Sequence, residues 1–477
     1  MHSIMKSKPF KGFPLWAAAF WLLVWEALAR LVDQSLLLVS PLTAAHRLLQ
    51  LMGEASFWQS VAYSLTHILM GFLLGALLGV SFAILSYRFR WMEQLLMPLT
   101  ATVKAIPVAS FVILALLWVT KHNLSTLISL LLGFPVIYSN ALTGLKSTDS
   151  QLIEMSRLFR VPFGKQLRAL YLPSLAPYLH SGLSIAIGLC WKSGIAAEVI
   201  GTPRGSIGER LYNSKIYLET ADLFAWTMTV VLLSVVCEKL LKLFLSCLEK
   251  WLKKPAVPKE ASKEAQPALL RAEASKALPS ETLNLTDLHA AFEGKEVIGG
   301  LSFSVETGRR YVISGPSGSG KTTLLRVLMG LLKPRSGDAS DFTKKQPSVV
   351  FQEDRLLSWM NAAQNLRYVA DIAPGEANAL LMRLGIEEES LSQPVSEYSG
   401  GMKRRVAIAR ALIAGYEILY LDEPYKGLDE QTRKQVQAVV EELSAGRTLF
   451  LVTHDLREAE GYLPLSLTPP AAPEIAG

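Results

Sequence analysis

Apolar residues are distributed in two different ways along this chain, and the change falls near residue 250. Before it, six long apolar runs occur at about 14–33, 62–85, 95–119, 124–145, 177–200 and 223–246. Each is near the roughly 20 residues that a helix needs to cross a bilayer. Beyond about residue 283 the runs are short. LNLTDLHAAF and LSFSVETGRRYVIS alternate like half-buried strands, and ILYLD and LFLV read as strands buried on both faces, with helix-period stretches between. Residues 253–282, KKPAVPKEASKEAQPALLRAEASKALPSET, are rich in Ala, Lys, Glu, Ser and Pro and lack the apolar content to hold a core. The pattern predicts an all-α six-span membrane domain over 1–252, a flexible linker over 253–282 and a soluble α/β domain over 283–477.

Composition supports this reading. Half of the 477 residues are hydrophobic and 19% are charged, a balance typical of membrane proteins. The net charge of +7 would suit nucleic-acid binding, but the basic residues gather at span ends, so that partner class is set aside. Lys and Arg are concentrated before Pro14, at Arg88 and Arg90, from Lys146 to Arg168 and after Glu238. This bias places both termini in the cytoplasm. The first run also has the shape of a signal peptide, with Lys6, Lys8 and Lys11 ahead of it and Ala27-Leu28-Ala29 behind. Glu26 interrupts that shape and is spaced to pair with Arg30. Gly71, Gly75, Gly79 and Ala83 form one small-residue helix face suited to close packing. Cys190, Cys237 and Cys247 have neither metal-ligand nor disulfide spacing. Lys104 and Lys192 lie inside apolar runs, where a charge must face a wet cavity or a partner. Lys192 is the sharper candidate for a place on a substrate pathway, with pairing inside the bundle as the other reading.

The soluble domain carries chemistry. GPSGSGKTT follows a strand and opens a helix, the context a phosphate-binding P-loop requires. Gly315, Pro316, Ser317, Gly318, Ser319 and Gly320 wrap backbone N–H groups around phosphates. Lys321 reaches the β and γ phosphates, and Thr322, followed by Thr323, offers a hydroxyl to Mg²⁺. ILYLDEP ends a strand at Asp422, placed for the Mg²⁺ shell, and Glu423, placed to polarise an attacking water. YSGGMKRRVAIARAL sets Ser399, Gly400, Gly401 and Met402 at a helix start, a second anion-binding site.

Together these segments resemble the ATPase domain of ABC transporters over nearly all of 283–465. The resemblance assigns further residues. Gln352 stands at the Q-loop glutamine contacting Mg²⁺ and water, His454 at the switch histidine, Asp429 at the D-loop aspartate, and Phe292 at the aromatic that stacks on adenine, with a core role as the alternative. Departures are Tyr398 where Leu is usual, Lys426 where a small residue is usual, and an abbreviated end in which LPLSL must serve as the last strand.

In the membrane half, QLIEMSRLFRVPFGKQLRALYLPSLAP, between the fourth and fifth runs, is similar to the coupling loop of ABC-importer permeases, from Glu154 to Pro173. It predicts a helix over Leu152–Phe159, a turn at Val161–Gly164 and a second helical stretch stopped at Pro173. Arg160 takes the usual glycine position. Residues 35–250 look like permeases of the nitrate, sulfonate and taurine importers, which include carriers of thiamine-pyrimidine precursors. The resemblance implies ATP and Mg²⁺ as cofactors and a prokaryotic inner-membrane location with the ATPase in the cytoplasm. It also implies a homodimer in which the Ser399 segment of one copy completes the site of the other, a separate extracytoplasmic solute-binding protein, and import of a small solute. An exporter half-transporter and a non-transporting regulatory ATPase are the alternatives.

Overall fold

A computed structural model describes residues 15–32, 34, 36–253, 281–292, 294–316 and 318–467. Ser317, the basic tail before Pro14 and all but the ends of the expected linker lie outside the described residues. The chain forms two compact units, one of residues 1–147 with 173–255 and the other of 148–172 with 256–477. The loop expected to belong with the membrane half is therefore part of the unit that holds the P-loop.

The first unit is helical: α1 Leu15–Val32, α2 Pro41–Met52, α3 Ala55–Arg88, α4 Arg90–Ala105, α5 Val108–Ala115 and α6 Leu124–Lys146. Judged by length and composition, α3, the helix containing Lys146 and the one running from Phe163 to Gly201 can cross a bilayer among the described residues, and α4 with α5 makes a fourth span if taken together. The third expected span, 95–119, is thus not one straight helix. It bends by 106° between α4 and α5, because Pro107 disfavours helical geometry at Ile106 and cannot donate to the helix before it.

The α3–α6 contact follows from the small-residue face. A Cβ added at Gly71 would stand 2.3 Å from the Thr126 carbonyl oxygen, one at Gly75 3.2 Å from that of Leu130, and one at Gly79 3.1 Å from the Tyr138 nitrogen. Gly71→Ala is therefore expected to cost about 1–3 kcal/mol, read as a lower Tm of the detergent-purified protein. Gly188, whose added Cβ meets nothing within 4 Å, is the matched control, and equal melting of the two variants would refute the close packing.

The second unit begins with α7 Ser150–Leu158, close to the expected helix. Arg160 follows with φ 51°, the left-handed setting that glycine adopts most readily; a non-glycine residue does so at a cost of about 1–2 kcal/mol. α8 spans Phe163–Gln166 and leads through a π-helical turn at Leu167–Tyr171 into α9 Leu172–Gly201. The expected stop at Pro173 is wrong. The wide π-helical turn immediately before Pro173 accommodates the proline and lets the helix run on. From residue 173 the chain is again in the first unit, which α10 Ile207–Ile216 and α11 Thr220–Lys253 complete.

Glu26 and Arg30 pair at 2.7 Å as their spacing predicts. Glu198, six residues beyond Lys192, turns away from it. Its Oε2 accepts from Ser64 Oγ at 2.6 Å and from the Gly208 N–H at 3.3 Å, at the start of α10. Lys104 Nζ donates to Ser139 Oγ.

The ATPase part has strands β1 Thr282–Phe292, β2 Lys295–Glu306, β3 Arg310–Ser314, β4 Ser336–Asp338, β5 Pro347–Val350, β6 Ile418–Asp422, β7 Thr448–Val452 and β8 Leu463–Ser466. An antiparallel sheet runs in the order β2-β1-β4, and a parallel sheet in the order β5-β6-β7-β3-β8. LPLSL does supply the last strand, as β8 pairs in parallel with β3. The helices used below are α12 Lys321–Leu328, α13 Ala362–Val369, α14 Pro374–Arg383, α15 Gly400–Ile413 and α16 Glu430–Leu443. Alternate residues of β6 and β7 enter two cores. Tyr420 and Phe450 pack with Leu325, Leu328 and Phe342, while Leu419, Leu421, Leu449 and Leu451 pack toward α13, α14, α15 and α16. Strands covered on both faces explain the unbroken apolar runs.

Candidate active site

The sheet order puts the ends of β3, β6 and β7 side by side, and the chemistry of the second unit collects there. β3 ends at Ser314 and the chain turns through Gly318 and Gly320, at φ 82° and 88°, into α12. Gly320 is doubly required, since an added Cβ would also lie 2.8 Å from Val297 Cγ1. Lys321 Nζ donates to the carbonyls of Gly315 and Pro316, each at 2.8 Å. The buried Ser319 hydroxyl has no partner among the described residues, which suits a loop built to take oxygen ligands.

Thr322 Oγ1 donates to Asp422 Oδ2 at 3.1 Å. Burial pushes the Asp422 carboxyl above the usual carboxylate range, and the Thr322 bond opposes that shift. The next residue, Glu423, takes φ 48° and anchors its N–H on the Val452 carbonyl at 2.9 Å. That bond aims its carboxylate toward the end of β7, where His454 Nε2 lies 3.3 Å from Oε1. Lys426 Nζ meets the other oxygen at 2.8 Å. Lys321, Thr322, Asp422, Glu423 and His454 are thus brought to one edge.

Gln352 lies two residues beyond β5, the neighbour of β6. Its main chain is held from α15: Arg404 donates to the carbonyls of Phe351 and Gln352, each at 2.6 Å, and the fully buried Arg410 donates to those of Asp354 and Arg355, at 3.1 and 2.6 Å. Burial lowers the Arg410 pKa to about 10, still far above neutrality. Sequence reasoning missed both arginines. For Arg410 the available signal was a charge inside VAIARALI, an otherwise apolar stretch of a soluble domain, which needs a buried partner; Arg404, in the charged run before it, carried none.

Ser399 caps α15 by accepting from the Met402 N–H, and Asp429 caps α16 by accepting from the Thr432 N–H. No hydrogen bond among the described residues joins Ser399, Gly400 or Gly401 to the P-loop. Tyr398, where Leu is usual, is buried and donates to the Ser390 carbonyl at 2.6 Å, so the larger side chain has both space and a partner. Phe292, at the end of β1, is 43% exposed, with the Arg326 guanidinium 5.9 Å from its ring centre. An aromatic left this open does not fill a core.

The segment carrying Glu154 packs on the same body. Met155, Leu158 and Leu170 enter the core that contains Leu325 and Tyr420. Glu154 Oε1 accepts from Arg326 of α12 at 2.6 Å and Oε2 from Arg355 at 2.8 Å. One carboxylate thus spans the P-loop helix and the segment following Gln352. Ser156 shares a 2.8 Å hydrogen bond with the Tyr368 hydroxyl of α13. Arg326 and Arg355 were also missed, although each lies three residues beyond an assigned position, Thr323 and Gln352.

Residues 298–426 match the family model for ABC transporters, and 71–254 that for binding-protein-dependent transport system inner membrane components. An aliphatic sulfonates import ATP-binding protein, SsuB 1, of Rhizobium johnstonii is 37% identical over 210 residues, 41% of this chain and 76% of that protein. The chain belongs to the ABC transporter family. A taurine import ATP-binding protein, TauB, of Escherichia coli O157:H7 is 35% identical over 192 residues, 37% of this transporter and 75% of that protein. Permease and ATPase of the transporter share one polypeptide, its apolar helices make it a membrane protein, and it binds and hydrolyses ATP to drive transport. Lys192, on α9, is exposed and bonds to no other described residue.

Proposed function

We propose that this transporter is half of an importer: two copies form the membrane pathway and two ATPases, and an extracytoplasmic binding protein delivers a small solute. The observation that carries this reading is the double grip of Arg326 and Arg355 on Glu154. It ties an importer-type loop to both the P-loop helix and the Q-loop. The two family matches in one chain support it, as do the names of the ATPase relatives, which specify aliphatic sulfonates and taurine; the solute proposed here is a small anion of that kind, a sulfonate, taurine or nitrate. Lys192 supplies a positive charge on the membrane part suited to such a solute.

For the ATPase step, Phe292 would face adenine, and the loop from Gly315 to Gly320 with Lys321 and Thr323 would hold the phosphates. Among the described residues no three His, Cys, Asp or Glu side chains gather around one point, so Mg²⁺ would be completed by phosphate oxygens, as is usual for it. Thr322 and Asp422, in hydrogen-bond contact, and Gln352 are the hard-oxygen donors that fit it. When bound, the ion neutralises charge on the β and γ oxygens. Glu423 polarises the attacking water, and His454 orients that carboxylate. Ser399, Gly400 and Gly401 of a second copy would close the pocket, with Asp429 at the same interface.

The decisive measurement is uptake into proteoliposomes that hold the purified transporter with a binding protein encoded beside it. Inward, ATP-dependent accumulation of labelled taurine or another sulfonate only when that protein is present is the expected result. Outward movement, or hydrolysis and uptake indifferent to every such protein, would overturn the import reading.

A further inference from the structure

Besides His454, Glu423 has a neighbouring ammonium that the catalytic reading does not use. Between Glu423 and Asp429 the chain turns tightly: Tyr425 is buried, Gly427 has φ 81°, and the Lys426 N–H points at the Glu423 carbonyl at 3.3 Å. The turn returns the Lys426 side chain onto the carboxylate it follows, Nζ to Oε2 at 2.8 Å, while His454 stands at Oε1. Glu423 is mostly covered and Lys426 is two-thirds exposed, so the ammonium closes the open side of the carboxylate.

A carboxylate that polarises water must offer an oxygen within hydrogen-bond reach of it. With His454 on one oxygen and an ammonium on the other, the water must compete for Glu423, and the ammonium also withdraws charge from the group meant to attract a proton. We propose that Lys426 is a positioning residue for Glu423, holding the carboxylate in a resting setting from which it must be released before hydrolysis. This rests on Glu423 acting on the attacking water. Lys426 touches no group assigned to nucleotide, so it acts on the chemical step and not on ATP affinity. Exposed ion pairs are weak, and the restraint on turnover is correspondingly small, about two- to fivefold.

The test is steady-state ATP hydrolysis by the full chain in lipid nanodiscs, comparing wild type, Lys426→Met, Lys426→Arg and Glu423→Gln. Lys426→Met should raise kcat about two- to fivefold at 50 mM KCl with the KM for ATP unchanged, and Lys426→Arg should stay near wild type. Because salt screens exposed charges, the ratio of Lys426→Met to wild type should fall toward one at 500 mM KCl. A kcat for Lys426→Met equal to or below wild type, or a raised ratio that salt leaves constant, would overturn the proposal. Glu423→Gln separates the two readings: if it turns over normally, the role given to Glu423 fails, and if it is inactive while Lys426→Met matches wild type, only the role of Lys426 fails.

Discussion

Glu423→Gln is expected to reduce ATP turnover by about 10²–10³-fold while leaving nucleotide binding in place. The change removes the negative charge that polarises water but keeps the shape of the side chain, its N–H bond to the Val452 carbonyl at 2.9 Å and the φ of 48° that aims it. Thr322 and Asp422, which hold the other side of the site, are untouched. The check pairs single-turnover hydrolysis with binding of a fluorescent ATP analogue. Loss of binding in parallel with hydrolysis would mean that Glu423 supports the fold of the site and not its chemistry, and near-normal turnover would place the base elsewhere.

The second large effect concerns transmission. Glu154→Ala should lower transport at least tenfold while hydrolysis by the purified protein falls less than threefold. The two bonds of Glu154 to Arg326 and Arg355 involve charged partners that are only partly shielded from water, so each contributes about 1–2 kcal/mol. Without them the segment keeps Met155 and Leu170 in its core but loses its polar grip on the P-loop helix and on the turn beyond Gln352. Glu154→Gln, neutral and of similar length, should be intermediate. Uptake and hydrolysis measured on the same proteoliposomes decide the matter: transport by Glu154→Ala at the wild-type rate would show that force is carried by the apolar contacts alone.

The legibility of this protein in its sequence varied with how local the cause was. The P-loop could be read because its function rests on backbone N–H groups between two adjacent elements, and the glycines that permit Gly318 and Gly320 to take positive φ are visible in the string. The close approach of α3 and α6 was visible in the same way, as a four-residue spacing of small side chains. The bend between α4 and α5 was written at Pro107 but was overlooked beneath an apolar run long enough for one span. Pro173 misled in the opposite direction, since the π-helical turn at Leu167–Tyr171 accommodates it and the helix runs on.

By itself, the sequence determined the class of machine: which stretches are apolar enough for a membrane, which loop takes phosphate, and which carboxylates stand at strand ends. These follow from composition and from spacings of a few residues. Apart from pairs one helical turn apart, such as Glu26 and Arg30, only the tertiary structure decided which charges meet. Glu154 and Arg355, 201 positions apart, become partners because the 148–172 segment folds onto the ATPase. Arg404 and Arg410 find the carbonyls of the Q-loop because α15 lies against it. Lys426 reaches Glu423 because the chain turns back between them, with the Lys426 N–H at the Glu423 carbonyl and Tyr425 buried inside the turn. Outside a single helix an ion pair depends on how the chain packs, and packing is recorded by no run of adjacent residues.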